Sequence, residues 1–91
     1  MPKPEVTYNR KRMLLEYDSR IGKVLAALRE ERDLSQAEVA RSIGSTQPQI
    51  SKVEQGQRSL RLSEIKLVAK AFDLTPEELF EILLPALQDE Q

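Results

Sequence analysis

The chain has 91 residues, contains no cysteine and no histidine, and carries a formal net charge of −1. This length supplies one hydrophobic core and no second domain, and the lack of cysteine excludes a disulfide framework and a thiolate metal site. No apolar run approaches the roughly 20 residues that span a bilayer, and no secretory signal follows the first methionine, so we expect a soluble, cytoplasmic protein without a membrane partner.

The pattern in the N-terminal third of the chain predicts a basic extension followed by one helix. The extension comprises residues 1–18, in which Pro2 and Pro4 favour an extended or disordered start. Apolar residues at helical spacing follow and predict the first helix: Ile21, Val24, Leu25 and Leu28. This helix ends near Asp33. Because Tyr17 continues its spacing, the helix starts either after the extension or early within it.

A short helix with two clear ends comes next. Ser35, with Glu38 three residues later, forms a reciprocal capping box, so the helix begins at Gln36. Its inward stripe consists of Val39, Ala40 and Ile43. Gly44 can adopt left-handed backbone geometry at little steric cost, which ends the helix and turns the chain at once.

A second short helix follows the turn. Thr46 and Gln49 have the spacing of another capping box, so this helix begins at Gln47. Pro48 is tolerated in the first turn, where its missing N–H has no helical partner to lose. The inward face consists of Ile50 and Val53, and Gly56 ends the helix. Two short helices joined by so tight a turn are the outline of a helix-turn-helix.

The C-terminal part predicts two more helices. A stripe of apolar residues predicts the fourth: Leu62, Ile65, Val68, Ala69 and Phe72. Thr75 and Pro76 open the fifth, with an N-cap, a first-turn proline and a capping-box glutamate, and Pro85 interrupts it. We therefore divide the chain into the extension, a helical domain over residues 19–84 and an acidic tail over residues 85–91.

Residues of the two short helices carry a resemblance to a known family: Gln36, Ala40, Gly44, Ile50 and Val53, followed by Glu54-Gln55-Gly56. They resemble the helix-turn-helix of the lambdoid phage repressor and Cro family, also called the xenobiotic-response-element family. The resemblance extends from about Ile21 to Phe80 and departs from the family at Ser45 and Pro48. It implies an all-α, five-helix lambda-repressor-like domain with the helix-turn-helix as helices 2 and 3. It also implies a transcription regulator that binds double-stranded DNA sequence-specifically, a repressor on a palindromic operator.

The charge distribution agrees with a DNA-binding role. Residues 1–61 hold 12 basic and 8 acidic side chains, a net charge of +4, whereas residues 62–91 hold 2 and 7, a net charge of −5. Attraction to phosphate needs a local basic patch rather than a basic whole. The part that contains the motif is the basic one.

The outward face of the second helix of the motif carries the residues that we expect to contact bases: Gln47, Gln49, Ser51 and Lys52. Glutamine pairs with adenine through two hydrogen bonds, and lysine suits guanine. For Gln49 a role in its own helix cap is equally open. The resemblance places further residues at phosphates, where contacts position a protein without reading sequence: Gln36, Thr46, Gln55, Gln57 and Arg58. For Arg58 the alternative is an exposed loop charge.

A basic cluster lies before the motif, namely Arg10, Lys11 and Arg12. It is either a solvated face of an early first helix, or an arm that reaches DNA phosphates or a minor groove. The resemblance also implies a structural ion pair between Arg29 and Glu54, which joins the first and third helices.

A single recognition helix covers few base pairs, so regulators of this class bind as two-fold dimers. The apolar surplus near the C-terminus is our candidate for the interface of a homodimer: Phe80, Leu83, Leu84 and Leu87. Core packing is the alternative for Phe80 and Leu83.

Other function classes have less support in the sequence. Without histidine, cysteine, a phosphate-binding glycine loop or an evident carboxylate pair, we expect no enzyme, no cofactor, no metal and no small-molecule ligand. The main alternative is an antitoxin-type interaction module that binds a toxin or another regulator, with DNA binding secondary. The base-competent side chains of Gln47 and Lys52, together with Gln36, favour DNA.

Overall fold

A computed structural model describes residues 9–88, and regular structure in this part of the chain is entirely helical. Its α-helices, with one short 3₁₀ helix before α4, are α1 (Arg10–Glu31), α2 (Gln36–Ser42), α3 (Gln47–Glu54), the 3₁₀ helix (Leu62–Glu64), α4 (Ile65–Ala71) and α5 (Pro76–Leu87). Within these residues the predicted all-α class with five α-helices is confirmed. The predictions for Pro2, Pro4 and the last residues of the acidic tail lie outside the described residues.

Helix α1 begins inside the basic extension. The Asn9 side chain caps it by accepting a hydrogen bond of 3.0 Å from the backbone N–H of Arg12. The basic cluster therefore forms the first turn of a 22-residue helix. At the other end Asp33 adopts left-handed backbone geometry, with φ of 56°, and the N–H of Leu34 bonds back to the carbonyl of Arg29.

Local signals set both ends of α2, as predicted. The Ser35 hydroxyl accepts from the Glu38 N–H at 3.0 Å, and the Glu38 carboxylate accepts from the Ser35 N–H at 2.7 Å. The hydrogen bond from the Ser35 backbone also holds the pKa of Glu38 below its usual value. Gly44, with φ of +70°, then turns the chain into α3.

Helix α3 starts at Gln47, as predicted, but its cap is only half of the expected box. The Thr46 hydroxyl accepts from the N–H of Gln49 at 3.4 Å, whereas the Gln49 side chain is exposed and does not bond back. A hydrogen bond from the N-cap backbone N–H to a neutral amide is weaker than the corresponding bond to the Glu38 carboxylate. The second capping box was therefore a wrong prediction, and Gln49 is free for other contacts.

Helix α5 shows that a proline does not always end a helix. The predicted capping box at Thr75 and Glu78 is present, with bonds of 2.9 and 3.1 Å. Pro85, however, lies inside the helix, which continues to Leu87. The prediction of an interruption was wrong because Leu83 and Ala86 are buried on either side of the proline. Their burial offsets the lost backbone hydrogen bond.

The core forms from the inward stripes of all five helices. Its buried members are Leu25, Leu28, Val39, Ala40, Ile50, Val53, Val68, Ala69, Phe72, Leu79 and Leu83. Leu62 departs from the prediction: it belongs to the 3₁₀ helix and is 81% exposed. Within residues 9–88 no helix has the length and apolarity needed to cross a membrane.

Two glycines let α1 lie directly on the end of α3. A Cβ at Gly22 would collide with the carbonyl oxygens of Val53 and Glu54. A Cβ at Gly56, whose φ is +77°, would lie 2.7 Å from the Cα of Ser19. This close crossing brings the middle of α1 within side-chain reach of α3, and the functional site depends on it.

Candidate nucleic-acid interface

An ion pair between α1 and α3 lies at the base of the site. The guanidinium of Arg29 donates to both carboxylate oxygens of Glu54, at 2.7 and 3.1 Å, and to the carbonyl of Leu34 at 2.8 Å. The two side chains are 14% and 9% exposed. The hydrogen bond to Glu54 raises the pKa of Arg29, and desolvation opposes that rise. The geometry is bidentate, which fixes the carboxylate in direction as well as in position.

Two glutamines continue this ion pair to the surface of α3. The side-chain amide of Gln36 donates to Glu54 at 2.8 Å, and the amide of Gln47 donates to the carbonyl oxygen of Gln36 at 2.5 Å. An ionised carboxylate can only accept, so Gln36 must turn its NH₂ group toward Glu54 and its oxygen toward Gln47. Gln47 must in turn present its own NH₂ to Gln36.

This polarity decides what Gln47 can offer to a ligand. Its carbonyl oxygen and its second N–H face away from Gln36 and take no other bond in the described part of the chain. One acceptor beside one donor is the pattern that matches N6 and N7 of adenine in the major groove. The ion pair thus orients the Gln47 amide, which can hydrogen-bond to a base, through the intervening Gln36.

The remaining candidate base contacts lie along α3. Gln49 and Lys52 are exposed, whereas Ser51 is half-buried. The amide of Gln55 donates to the Ser51 hydroxyl at 3.1 Å, so these two side chains are held together at the C-terminal half of the helix. The helix therefore presents Gln47, Gln49 and Lys52 to solvent, with the Gln47 amide keeping its carbonyl oxygen and one N–H available.

In the loop after α3 the structure contradicts the alternative interpretation of Arg58 as an exposed charge. Its guanidinium donates to both oxygens of Glu64, at 3.0 and 3.3 Å, and the side chains are 29% and 25% exposed. This pair lowers the pKa of Glu64, against the effect of desolvation. Arg58 is therefore not an exposed loop charge, because a carboxylate of its own protein holds it. Gln57, one residue earlier, is exposed.

Glu64 itself was missed by the sequence analysis. It lies six residues from Arg58 and also accepts from the backbone N–H of Arg61 at 2.9 Å. The spacing of Arg61 and Glu64 is that of a helix-start cap, which was the one available signal. The ion pair to Arg58 depends on the shape of the loop and has no sequence signature.

The basic cluster lies on the first turn of α1, the helix that also bonds to this loop. Arg10, Lys11 and Arg12 are exposed, and α1 is tied to the loop by a 2.6 Å hydrogen bond from the Ser59 hydroxyl to Asp18. The cluster begins about two helical turns before Asp18. The cluster therefore lies on a helix that is anchored at the loop carrying Gln57.

The proposed dimer residues divide into two groups. Leu83 is buried in the core, so its place among the interface candidates was wrong. Phe80 and Leu87 are 44% and 39% exposed, and Leu84 is half-buried. Residues four and seven positions after Phe80 share its face of the helix, so these three form one exposed apolar stripe.

Comparisons with known proteins agree with this geometry. A family model described as helix-turn-helix matches residues 25–79. The restriction-modification controller protein C.AhdI from Aeromonas hydrophila is 36% identical, over 69% of this chain and 96% of its own, with a TM-score of 0.64. The clp gene regulator ClgR from C. glutamicum, at 14% identity, has a TM-score of 0.69 over 81% of this chain and 96% of its own, which is a likeness of fold. No curated protein sequence matches the chain.

The family match covers more than half of the chain and contains α2, α3 and the described ion pairs. Residues 10–24, with the basic cluster and Gly22, precede it. The chain belongs to the Cro/C1-type helix-turn-helix family of DNA-binding transcription regulators.

Proposed function

We propose that this protein binds a palindromic DNA operator as a two-fold dimer and represses transcription by occupying it. Helix α3 enters the major groove, where Gln47, Gln49 and Lys52 contact base edges and Ser51 assists. The observation that carries this proposal is the hydrogen-bonded chain from Glu54 to Gln47, because it holds an adenine-type donor and acceptor outward on an exposed helix.

Phosphate contacts flank that helix on both sides. Gln36 opens α2, and the Thr46 hydroxyl, which only accepts within the protein, keeps its proton free to donate. On the other side Gln55 retains a second amide N–H and Gln57 is exposed. Arg58 joins this second group when a phosphate displaces Glu64.

The basic cluster of Arg10, Lys11 and Arg12 supplies an additional interaction with the DNA backbone. Its members are exposed, and no ion pair within residues 9–88 engages them. Replacing all three by alanine should flatten the dependence of DNA affinity on salt, by about 0.9 in log–log slope for each phosphate that is no longer neutralised. An unchanged slope would leave the cluster as a solvated first turn of α1.

The dimer uses the apolar stripe of Phe80, Leu84 and Leu87. A monomer with one eight-residue recognition helix covers too few base pairs for a unique site. Two copies related by a two-fold axis place their recognition helices about 34 Å apart, one turn of B-DNA.

Selection of bound sites from random duplex DNA tests the proposal. We expect enriched sites with two-fold symmetry and half-sites centred about 10 base pairs apart. A pool that shows no enrichment over competitor DNA would refute it and favour the alternative of a protein-interaction module, for which a toxin or another regulator would be the partner. Occupancy of the selected site in a transcription assay then separates repression from activation.

A further inference from the structure

An exposed leucine lies beside a shallow groove on one side of the molecule. Leu62 is the most exposed large apolar side chain among residues 9–88, at 81%. The groove is lined by Ile65, Pro76, Glu77, Phe80 and Glu81. It is open to solvent, and its polar lining consists of two carboxylates, so it lacks the enclosure and the varied polar groups of a small-molecule site.

We propose that Leu62 of one copy inserts into this groove of a second copy, and that the reciprocal insertion forms the dimer interface. The inference rests on the proposed function, which requires a dimer, and it identifies the surface that the dimer uses. The occupant is a second copy of this chain because three independent features of the surface make it complementary to itself.

The first feature is position. Leu62 opens the 3₁₀ helix and Ile65, which lines the groove, begins α4 directly after it. Side chains three residues apart in a 3₁₀ turn are eclipsed, so Leu62 stands next to the groove and not behind it. In a two-fold interface both copies contribute the same surface. The inserting residue and the groove that accommodates it must therefore lie on one face of the molecule.

The second feature is charge. Glu77 and Glu81 lie four residues apart on the rim of the groove, and both are exposed. Arg61, adjacent to Leu62, is exposed too, and no ion pair within residues 9–88 engages any of these three side chains. Insertion of Leu62 carries the Arg61 guanidinium to the two carboxylates of the other copy. Without such a cation, two acidic C-terminal parts would repel each other.

The third feature is continuity with the apolar stripe of α5. Phe80 belongs both to the groove and to the stripe that continues through Leu84 to Leu87. The surface that buries Leu62 therefore extends along α5, which gives the interface more apolar area than one leucine supplies.

Charge-reversal variants of the full chain test the proposal. Their dimer dissociation constants are measured by sedimentation velocity without DNA. Arg61→Glu and Glu81→Arg should each raise the dimer dissociation constant about tenfold or more, since each replaces an attraction by a repulsion. The double variant, which restores opposite charges, should regain most of the affinity. Leu62→Asp should weaken the dimer at least as much, whereas Leu67→Asp is the matched control, because Leu67 is 46% exposed and lies two residues from Ile65 on the other side of α4.

Cross-linking gives a second, independent measurement. The chain has no cysteine, so Leu62→Cys on one population and Phe80→Cys on a second, size-tagged population can join only between copies. We expect a mixed disulfide dimer after mild oxidation, and much less of it when Leu67→Cys replaces Leu62→Cys. Equal yields with the control would overturn the proposed interface.

The outcomes separate this inference from the proposed function. A wild-type dimer that all these substitutions leave intact would overturn the Leu62 interface and keep the dimer. A chain that stays monomeric at tens of micromolar, even on the selected operator, would overturn both. Substitutions at Arg61 and Leu62 that weaken binding to a single half-site but leave sedimentation unchanged would assign this surface to DNA and refute the interface.

Discussion

Two arginine–glutamate pairs in this protein have the same two-point geometry and different surroundings. Arg29 and Glu54 join α1 to α3 across 25 residues, with side chains 14% and 9% exposed. Arg58 and Glu64 join the loop after α3 to the end of the 3₁₀ helix across six residues, with side chains 29% and 25% exposed. The first pair also orients Gln36 and, through it, Gln47. The second pair restrains Arg58, for which we propose a contact with a DNA phosphate.

Burial separates the roles of the two pairs. Arg29 and Glu54 are largely shielded from water, so removing one partner leaves a poorly solvated charge and the loss is large. Near the surface, water or another anion can replace the missing partner, so the loss is small. The buried pair is therefore suited to fixing an orientation permanently, and the loop pair is suited to exchange with a phosphate.

The largest expected effect follows from breaking the buried pair. Glu54→Ala should lower the free energy of unfolding by about 3 kcal/mol, the lower end of the range for buried pairs, because it leaves the largely desolvated Arg29 guanidinium with only the exposed Glu30, at 3.8 Å, as a counter-charge. Urea unfolding followed by circular dichroism measures the change. The matched control is Glu64→Ala, for which we expect a loss of about 1 kcal/mol or less. Equal losses for the two variants would show that burial does not distinguish the pairs.

The elements around the buried pair were predictable because their signals are local. The capping box at Ser35, the glycine at residue 44 and the apolar spacing each lie within one helical turn of the feature that they determine. These signals placed α2 and the start of α3 correctly. The ion pair itself came from a family resemblance, since nothing in the spacing of Arg29 and Glu54 requires them to meet.

Features that depend on contacts between distant segments could not be predicted. Nothing in the sequence around Gly22 indicates that α1 crosses the carbonyls of Val53 and Glu54 there, where a side chain would collide. Pro85 has a clear local preference against a helix, and burial of its neighbours overrides it. The exposure of Leu62 likewise follows from where the loop ends and not from apolar periodicity.

An intermediate effect is expected from breaking the chain of glutamines above the buried pair. Gln36→Ala leaves Glu54 and Arg29 paired but frees the Gln47 amide to rotate, so discrimination at one base pair of each half-site should fall by about 1–3 kcal/mol. Competition binding with single-base operator variants measures this discrimination.

Two controls make that result specific. Gln47→Ala should lose the same discrimination, and the double variant should lose little more, because both changes remove one orienting unit. Gln57→Ala should weaken binding to all sequences alike, since an interaction with phosphate carries no base information. Additive losses in the double variant would show that Gln36 does not act through Gln47.

The smallest expected effect comes from Glu64→Gln, which keeps the shape of the loop pair and removes its charge. Arg58 lowers the pKa of Glu64 from its ordinary value of 4.5. Stability from this carboxylate is therefore fully present above about pH 4.5 and is lost as the pH falls through the lower pKa of the folded state. We expect the variant to be about 0.5–1 kcal/mol less stable than wild type at pH 7, with the difference shrinking as the pH falls below the ordinary carboxyl pKa of 4.5.

The Glu64→Gln variant also distinguishes the two pairs by the direction in which it changes the affinity for DNA. Once Glu64 is neutral, Arg58 is no longer held by an opposite charge, so it can neutralise a phosphate without first leaving a partner. We expect tighter binding to non-specific duplex, and a log–log salt slope steeper by up to about 0.9 if wild-type Arg58 stays paired with Glu64 on such DNA and therefore neutralises one phosphate fewer. Stability and DNA affinity then change in opposite directions in Glu64→Gln, whereas both fall in Glu54→Ala. If affinity also falls in Glu64→Gln, the carboxylate positions Arg58 for phosphate instead of competing with it.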